Sequence, residues 1–288
     1  MVQKNVYLPT GIKSLDNLFH DKGIPVGNWV GLIGEPGSYK TLTCIQIAAN
    51  YILGTDDICT VFVSMEYPSQ TLEQHFYQMG YDPDDIEKAI TTGRLAFVDV
   101  FSRTDVANEK PESVARAIQQ HAREMKEKHK GKVVVLIDGI SHMWKKMPVM
   151  SRSMFGVLAM MLKNDIEMGF FTQQISIGTG DAFGWGTEHG ADTIIKFGKY
   201  YKDGYKQWIY IGKHRGGNHE KRLMELLINT DKEIVVGDPI EINGRFRDVN
   251  EALESFKYSD RTGIQEDRNK LIKEQNELLE RIANTLEK

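Results

Sequence analysis

Little in this sequence marks an unusual protein, and each scarcity excludes a class. Two cysteines, Cys44 and Cys59, are too few to staple 288 residues, which excludes a disulfide scaffold and points to buried thiols in a reducing compartment. No uncharged apolar run approaches the roughly 20 residues a bilayer-spanning helix needs, so no membrane association is expected. The amino-terminal stretch MVQKNVYLPTG lacks the apolar centre of a signal peptide, and a cytoplasmic location is expected. An excess of one charge is missing too. The 36 Lys and Arg against 40 Asp and Glu leave a formal net charge of -4, so binding to a polyanion would have to come from a local patch. Internal repeats and low-complexity segments are absent. With 41% hydrophobic and 26% charged residues, the composition is that of one large globular domain, alone or with an appendage. Glycine is the residue in generous supply, at 26.

Short apolar runs alternate with helical patterns through residue 238. Strands are predicted over 29–33, 59–64, 95–99, 133–137, 169–172 and 193–197, and helices over 41–53, 69–79, 111–129 and 153–167. The strand runs are continuous rather than alternating, as expected for parallel strands covered on both faces. The fold class is therefore α/β, a mostly parallel sheet with helices on both sides. Asp203-Gly204 between two β-prone runs predicts a closing antiparallel hairpin with a type I′ turn. Residues 1–238 are read as the core and 239–288 as a helical extension. Within the extension, 248–257 reads as a short helix. In 264–288, Ile272, Leu279 and Leu286 recur every seven residues with Ile282 between them. That helix is either solvated on its own domain or docks on a partner or a second copy, and Gln275 at a core position weakens the coiled-coil option.

The segment GEPGSYKTL, comprising Gly34, Glu35, Pro36, Gly37, Ser38, Tyr39, Lys40, Thr41 and Leu42, falls between a predicted strand and a predicted helix. That context makes it a phosphate loop. Backbone N–H groups and the helix amino terminus face the phosphates, Lys40 reaches the outer ones, and the Thr41 hydroxyl ligates Mg²⁺. Tyr39 stands where the last glycine of the pattern is expected, and raises the question of turnover. Asp138 ends the run KVVVLID, the place for a second Mg²⁺ anchor. Glu66 follows the strand VFVS at the same edge, where a carboxylate can polarise an attacking water. Ligands of open α/β sheets bind outside the carboxyl ends of the strands, which favours both acids over simple turn roles.

Several motifs in this order resemble the KaiC-like branch of the RecA/RadA ATPases. The lead TGIKSLDNLFHDKGIPVG into the loop, SMEYP around Glu66, VVVLIDGIS, TEHGADTIIKF and KHRGGNH carry the resemblance, which spans residues 10–236. KaiC has two adjacent glutamates where this chain has Glu66 and Tyr67. The resemblance implies ATP and Mg²⁺ as cofactors, Glu66 as the catalytic glutamate, and a homo-oligomeric ring, expected to be a hexamer, with ATP between subunits. It further implies that Lys213 and Arg215 act on the γ-phosphate of the neighbouring subunit, where fixed cations stabilise the transferring phosphoryl group. Gln174 falls where RecA and RadA carry a γ-phosphate sensor, and leads into a glycine-rich loop. Single-domain chains of this kind are typical of archaea. Two other readings stay open. One is a scaffold that binds nucleotide with little turnover. The other is a repair accessory protein that binds single-stranded DNA through the run 194–217, where Lys196, Lys199, Lys202 and Lys206 interleave with Tyr200, Tyr201, Tyr205, Trp208 and Tyr210. Aromatic cross-strand pairs in a hairpin are the plainer account of that run.

Overall fold

Apolar runs buried on both sides build one nine-stranded sheet in a computed structural model that describes residues 6–102, 110–144, 150–175, 186–201, 204–241 and 273. In chain order the elements are β1 (Tyr7–Leu8), α1 (Lys13–Asp16), β2 (Ile24–Pro25), β3 (Trp29–Gly34), α2 (Lys40–Gly54), β4 (Ile58–Ser64), α3 (Ser69–Gln78), α4 (Pro83–Thr91) and β5 (Leu95–Asp99). There follow α5 (Pro111–His129), β6 (Lys132–Asp138), α6 (Ser151–Leu162), β7 (Met168–Gln174), α7 (Thr187–Gly190), β8 (Thr193–Tyr201), β9 (Tyr205–His214), β10 (Met224–Ile228) and β11 (Ile234–Pro239). The large sheet runs β11-β10-β9-β8-β3-β7-β6-β4-β5. Pairs from β8 to β5 are parallel, and β8 to β11 form an antiparallel extension.

Successive strand residues feed opposite cores, which is why the runs are apolar throughout. Val30, Leu32, Phe62, Val134, Leu136 and Phe170 pack with α2, α3 and α4. Ile33, Val61, Val63, Val135, Ile137 and Phe171 pack with α5 and α6. Cys44 and Cys59 are free and buried. The TG…LD lead has a structural reason of its own. The Asp16 carboxylate accepts from the Thr10 N–H and hydroxyl at 2.7 and 2.8 Å and from the Gly11 N–H at 3.1 Å. Burial raises the Asp16 pKa, and these donors oppose the rise. Gly11, at φ +79, sits where any Cβ would come within 2.6 Å of Asn50 on α2.

Several details differ from the sequence expectation, beginning with β10 and β11, which carry the antiparallel part beyond one hairpin. The amphipathic helix α4 was not predicted, although Asp82 caps it by accepting the Asp84 N–H at 2.9 Å and Pro83 opens its first turn. Helix α6 ends at Leu162 rather than 167. Beyond it the Asp165 carboxylate is held by Gln119 and Arg123, and Glu167 accepts the Val133 N–H, which turns the chain into β7. Strand β8 runs to Tyr201, four residues past the predicted end. The β8–β9 register pairs Tyr201 with Tyr205, leaving three residues in the connection rather than the two of a type I′ hairpin. The predicted helices over 248–257 and 264–288 and the glycine-rich loop over 176–185 lie outside the described residues. No described helix is long and apolar enough to cross a membrane.

Candidate functional site

Parallel pairing brings the candidate residues to one edge. The register sets Gly34 beside Gln174 and Ser64 beside Asp138, so the loop after β3, Glu66 after β4, and the ends of β6 and β7 converge. Gly34 is obligatory there, since a Cβ would lie 2.2 Å from the Phe197 carbonyl oxygen. The loop is tied internally: the Ser38 hydroxyl donates to the Glu35 carbonyl at 2.7 Å, and Lys40 Nζ donates to the same carbonyl at 2.6 Å. Lys40 is 7% exposed. Burial lowers its pKa to about 8, and the carboxylates of Glu66, Asp138 and Glu35 oppose the fall.

Tyr39 takes φ 68 and ψ 13, the left-handed conformation that a glycine would adopt. The side chain therefore does not reroute the loop. It packs on the α2-side core instead, and the Tyr39 carbonyl accepts the Thr43 hydroxyl at 2.8 Å. A non-glycine residue in that region costs on the order of 1–2 kcal/mol.

Asp138 is fully buried and joins two strands to the loop. Its Oδ1 accepts the Thr41 hydroxyl at 3.0 Å and the Thr172 hydroxyl at 2.7 Å, while Thr172 accepts the Gly139 N–H at 2.7 Å. Its Oδ2 is buried with no hydrogen-bond partner among the described residues. Burial raises the Asp138 pKa to about 6, with the Thr172 hydrogen bond opposing and Glu66 adding to the rise. A hydroxyl and a carboxylate with one oxygen uncommitted are the donor set that suits Mg²⁺, which keeps several waters and phosphate oxygens in its shell. Among the described residues, no cluster of three or more His, Cys, Asp or Glu side chains could form an all-protein metal cage.

The Glu66 carboxylate is oriented from both sides. Oε2 accepts the Tyr67 hydroxyl at 3.0 Å, and Oε1 accepts Gln174 Nε2 at 3.1 Å, with His142 Nδ1 at 3.9 Å from it. Burial, reinforced by the Asp138 and Glu66 carboxylates, raises the Tyr67 pKa and keeps the phenol protonated. Gly139, at φ +82, lets Glu66 approach, since a Cβ there would lie 2.3 Å from Glu66 Cγ. The structure thus gathers Glu66, Lys40, Thr41, Asp138 and Gln174. It adds Thr172, Tyr67 and Gly139, which sequence reading did not single out as site residues. Tyr67 had a signal, its place in SMEYP; Thr172 had none beyond its strand.

Lys213 and Arg215 lie elsewhere. Lys213 pairs with Ile194 and His214 with Thr193, at the amino-terminal edge of the parallel strands, about 10 Å along the sheet from the Gly34–Phe197 pair. Lys213 Nζ donates to the carbonyls of Glu188, at 3.0 Å, and Ala191 at the end of α7. Burial and the Arg215 charge lower its pKa. Arg215 pairs with Asp192 at 3.4 Å, and Asp192 accepts the Trp29 N–H at 3.0 Å. The TEHGAD and KHRGG motifs therefore pack on each other, and neither cation meets its own chain's phosphate loop. In the aromatic run, Tyr200 and Trp208 are 2% and 6% exposed and pack on Leu223. Tyr205 lies open, and Lys202 is outside the described residues.

A family model described as "ATPase: KaiC" matches residues 8–241. The chain belongs to the KaiC ATPase family. Among its relatives, a UPF0273 protein of Thermotoga maritima is 31% identical over 236 residues, covering 79% of this chain and 94% of that one. UPF0273 proteins of Pyrococcus horikoshii and Methanocaldococcus jannaschii are 29% and 27% identical, covering 79% and 80% of this chain and 92% and 96% of their own lengths. The family is one of RecA-type ATP-binding ATPase domains, and the sheet order and edge chemistry of this chain agree with it.

Proposed function

We propose that this KaiC-family protein hydrolyses ATP with Mg²⁺ and works as a homo-oligomeric ring, hexameric by resemblance, in which hydrolysis switches conformation or partner binding. The observation that carries the catalytic reading is the junction at Asp138, where the phosphate loop, through Thr41, and β7, through Thr172, meet one buried carboxylate with a free oxygen. Thr41 and Asp138 would hold the ion, directly or through water, and the ion would neutralise charge on the β- and γ-phosphate oxygens. The loop amides and Lys40 bind the phosphate chain. Glu66, held by Tyr67 and Gln174, orients water and takes its proton as oxygen attacks the γ-phosphorus. The bond to the β-phosphate oxygen breaks, giving ADP and inorganic phosphate. Gln174 bonds directly to Glu66, which makes its amide the link between the γ-phosphate and that acid.

One feature supports the ring. Lys213 and Arg215 are fixed by α7 and Asp192 at the sheet edge opposite their own loop, so their role in phosphoryl transfer would be played in a neighbour's site. Single-strand binding is the weaker alternative, because Tyr200 and Trp208 are packed and not displayed for stacking on bases. The test is Glu66→Gln. Turnover should fall by about 10²–10³-fold, as for loss of a general base, with ATP affinity within about twofold. Lost ATP affinity with preserved turnover per bound nucleotide would refute the role given to Glu66.

A further inference from the structure

We infer that Lys199 is a second cation of the phosphate site, supplied by the same chain from β8. The inference rests on the phosphate-loop reading and goes beyond the loop's own motif.

Strand β8 outlasts its neighbour. Its last pair with β3 is Gly34 with Phe197, and residues 198–201 project past the edge where the loop begins. Alternation puts Lys199 on the face of Ile195 and Phe197, the side covered by α2, whose amino terminus follows the loop. The overhang is braced. Gln207 pairs with Lys199, Trp208 Nε1 donates to the Lys199 carbonyl at 3.3 Å, and Gly198 makes room for the indole, since a Cβ there would lie 2.3 Å from Trp208 Cζ2.

From that base the Lys199 ammonium reaches the middle of the loop. A Cβ on Gly37 would come within 3.0 Å of Lys199 Nζ and 3.6 Å of its Cε. Gly37 is favoured by its φ of +70, and the absence of a side chain there leaves the ammonium room beside the loop. Lys199 is also close enough to Lys40 to disfavour its charged form. Among the described residues no carboxylate pairs with Lys199 within salt-bridge distance. Lys206 on the same hairpin, by contrast, faces Glu225 at 4.0 Å. The Lys199 and Lys40 ammonium groups repel each other, and a polyanion that binds both relieves the repulsion. The ligand chemistry is a nucleoside di- or triphosphate. The segment that supplies the lysine lies far from the loop in sequence, which is why no phosphate-loop pattern includes it.

The experiment uses the full chain and Lys199→Met, which keeps the stem and removes the charge. Affinity for Mg·ATP and for ADP should each fall about tenfold, as for loss of one charge-assisted hydrogen bond. The melting temperature without nucleotide should hold or rise, because a like-charge contact has gone. Lys206→Met should leave both affinities unchanged. Unchanged nucleotide affinity in Lys199→Met, an equal loss in Lys206→Met, or weaker binding that only follows a lowered melting temperature would each overturn the assignment. Lys40→Met separates the two levels: if it binds ATP as the wild type does, the phosphate-loop reading itself fails, whereas its loss of binding beside an unaffected Lys199→Met would sink Lys199 alone.

Discussion

The two edges of the sheet carry opposite kinds of chemistry. At the carboxyl edge, Thr41 and Thr172 share the Asp138 carboxylate, and Tyr67 and Gln174 hold the Glu66 carboxylate, all within one chain at the start of α2 and the ends of β4, β6 and β7. At the amino edge, Lys213 and Arg215 are held by backbone carbonyls and Asp192 and touch none of those residues. Parallel strands explain the first arrangement, because every strand ends its run at the same side and the connections there collect polar groups that the core cannot hold. The antiparallel turn of β9 explains the second, since it carries its last residues back to the opposite side. One edge gathers its side chains within a single chain. The other is a presented pair of cations, and it is there that a second subunit would matter.

Breaking the self-contained edge should have the largest effect. Asp138→Ala removes the carboxylate that Thr41 and Thr172 share, and turnover at saturating ATP should drop by about 10³-fold, the upper range for loss of one preorganised electrostatic group. Part of the loss should be recovered at raised Mg²⁺, as for a weakened ion site; a loss that is the same at every Mg²⁺ concentration would place the metal anchor elsewhere. Breaking the other edge should cost less and depend on assembly. Arg215→Ala should lower turnover by about 10²-fold, with Lys213 still in place. Mixing Arg215→Ala subunits with Glu66→Gln subunits should recover part of the lost rate, because some interfaces then pair an intact Glu66 with an intact Arg215. Mixed assemblies as inactive as their components would exclude action across the interface.

The two edges were not equally legible in the sequence. Strand positions and the carboxyl-edge anchors could be read because both rest on local signals, continuous apolar runs and a loop or an acid at the end of each run. The connections within the site could not. Thr172 meets Asp138 from a separate strand, and nothing near Thr172 in sequence marks it. Lys199 was read as part of a charged hairpin face, and its reach to Gly37 depends on how far β8 outlasts β3, which is a property of the register. Helix α4 was missed although Asp82 and Pro83 are ordinary helix-start residues, because its apolar stripe is short and interrupted by acids. At the amino edge the motifs TEHGAD and KHRGG were visible, but not that each serves as the other's anchor.

Tyr67 sharpens the comparison with the smallest change, one hydroxyl. By the resemblance it stands where KaiC has its second glutamate, and its hydroxyl donates to the Glu66 carboxylate at 3.0 Å. A second carboxylate there would repel Glu66, whereas the phenol donates to it and leaves the charge of the site lower by one. Tyr67→Phe keeps the ring on the α2-side core and removes only that bond. A single neutral donor is worth about 0.5–1.5 kcal/mol, so turnover should fall by roughly 2–10-fold. The Michaelis constant for ATP should hold, because the phosphates are gripped by the loop and not by Glu66. If Tyr67 instead parks Glu66 away from water, the same substitution will speed hydrolysis, and steady-state rates of the full-length variant decide between holding and parking by their direction alone.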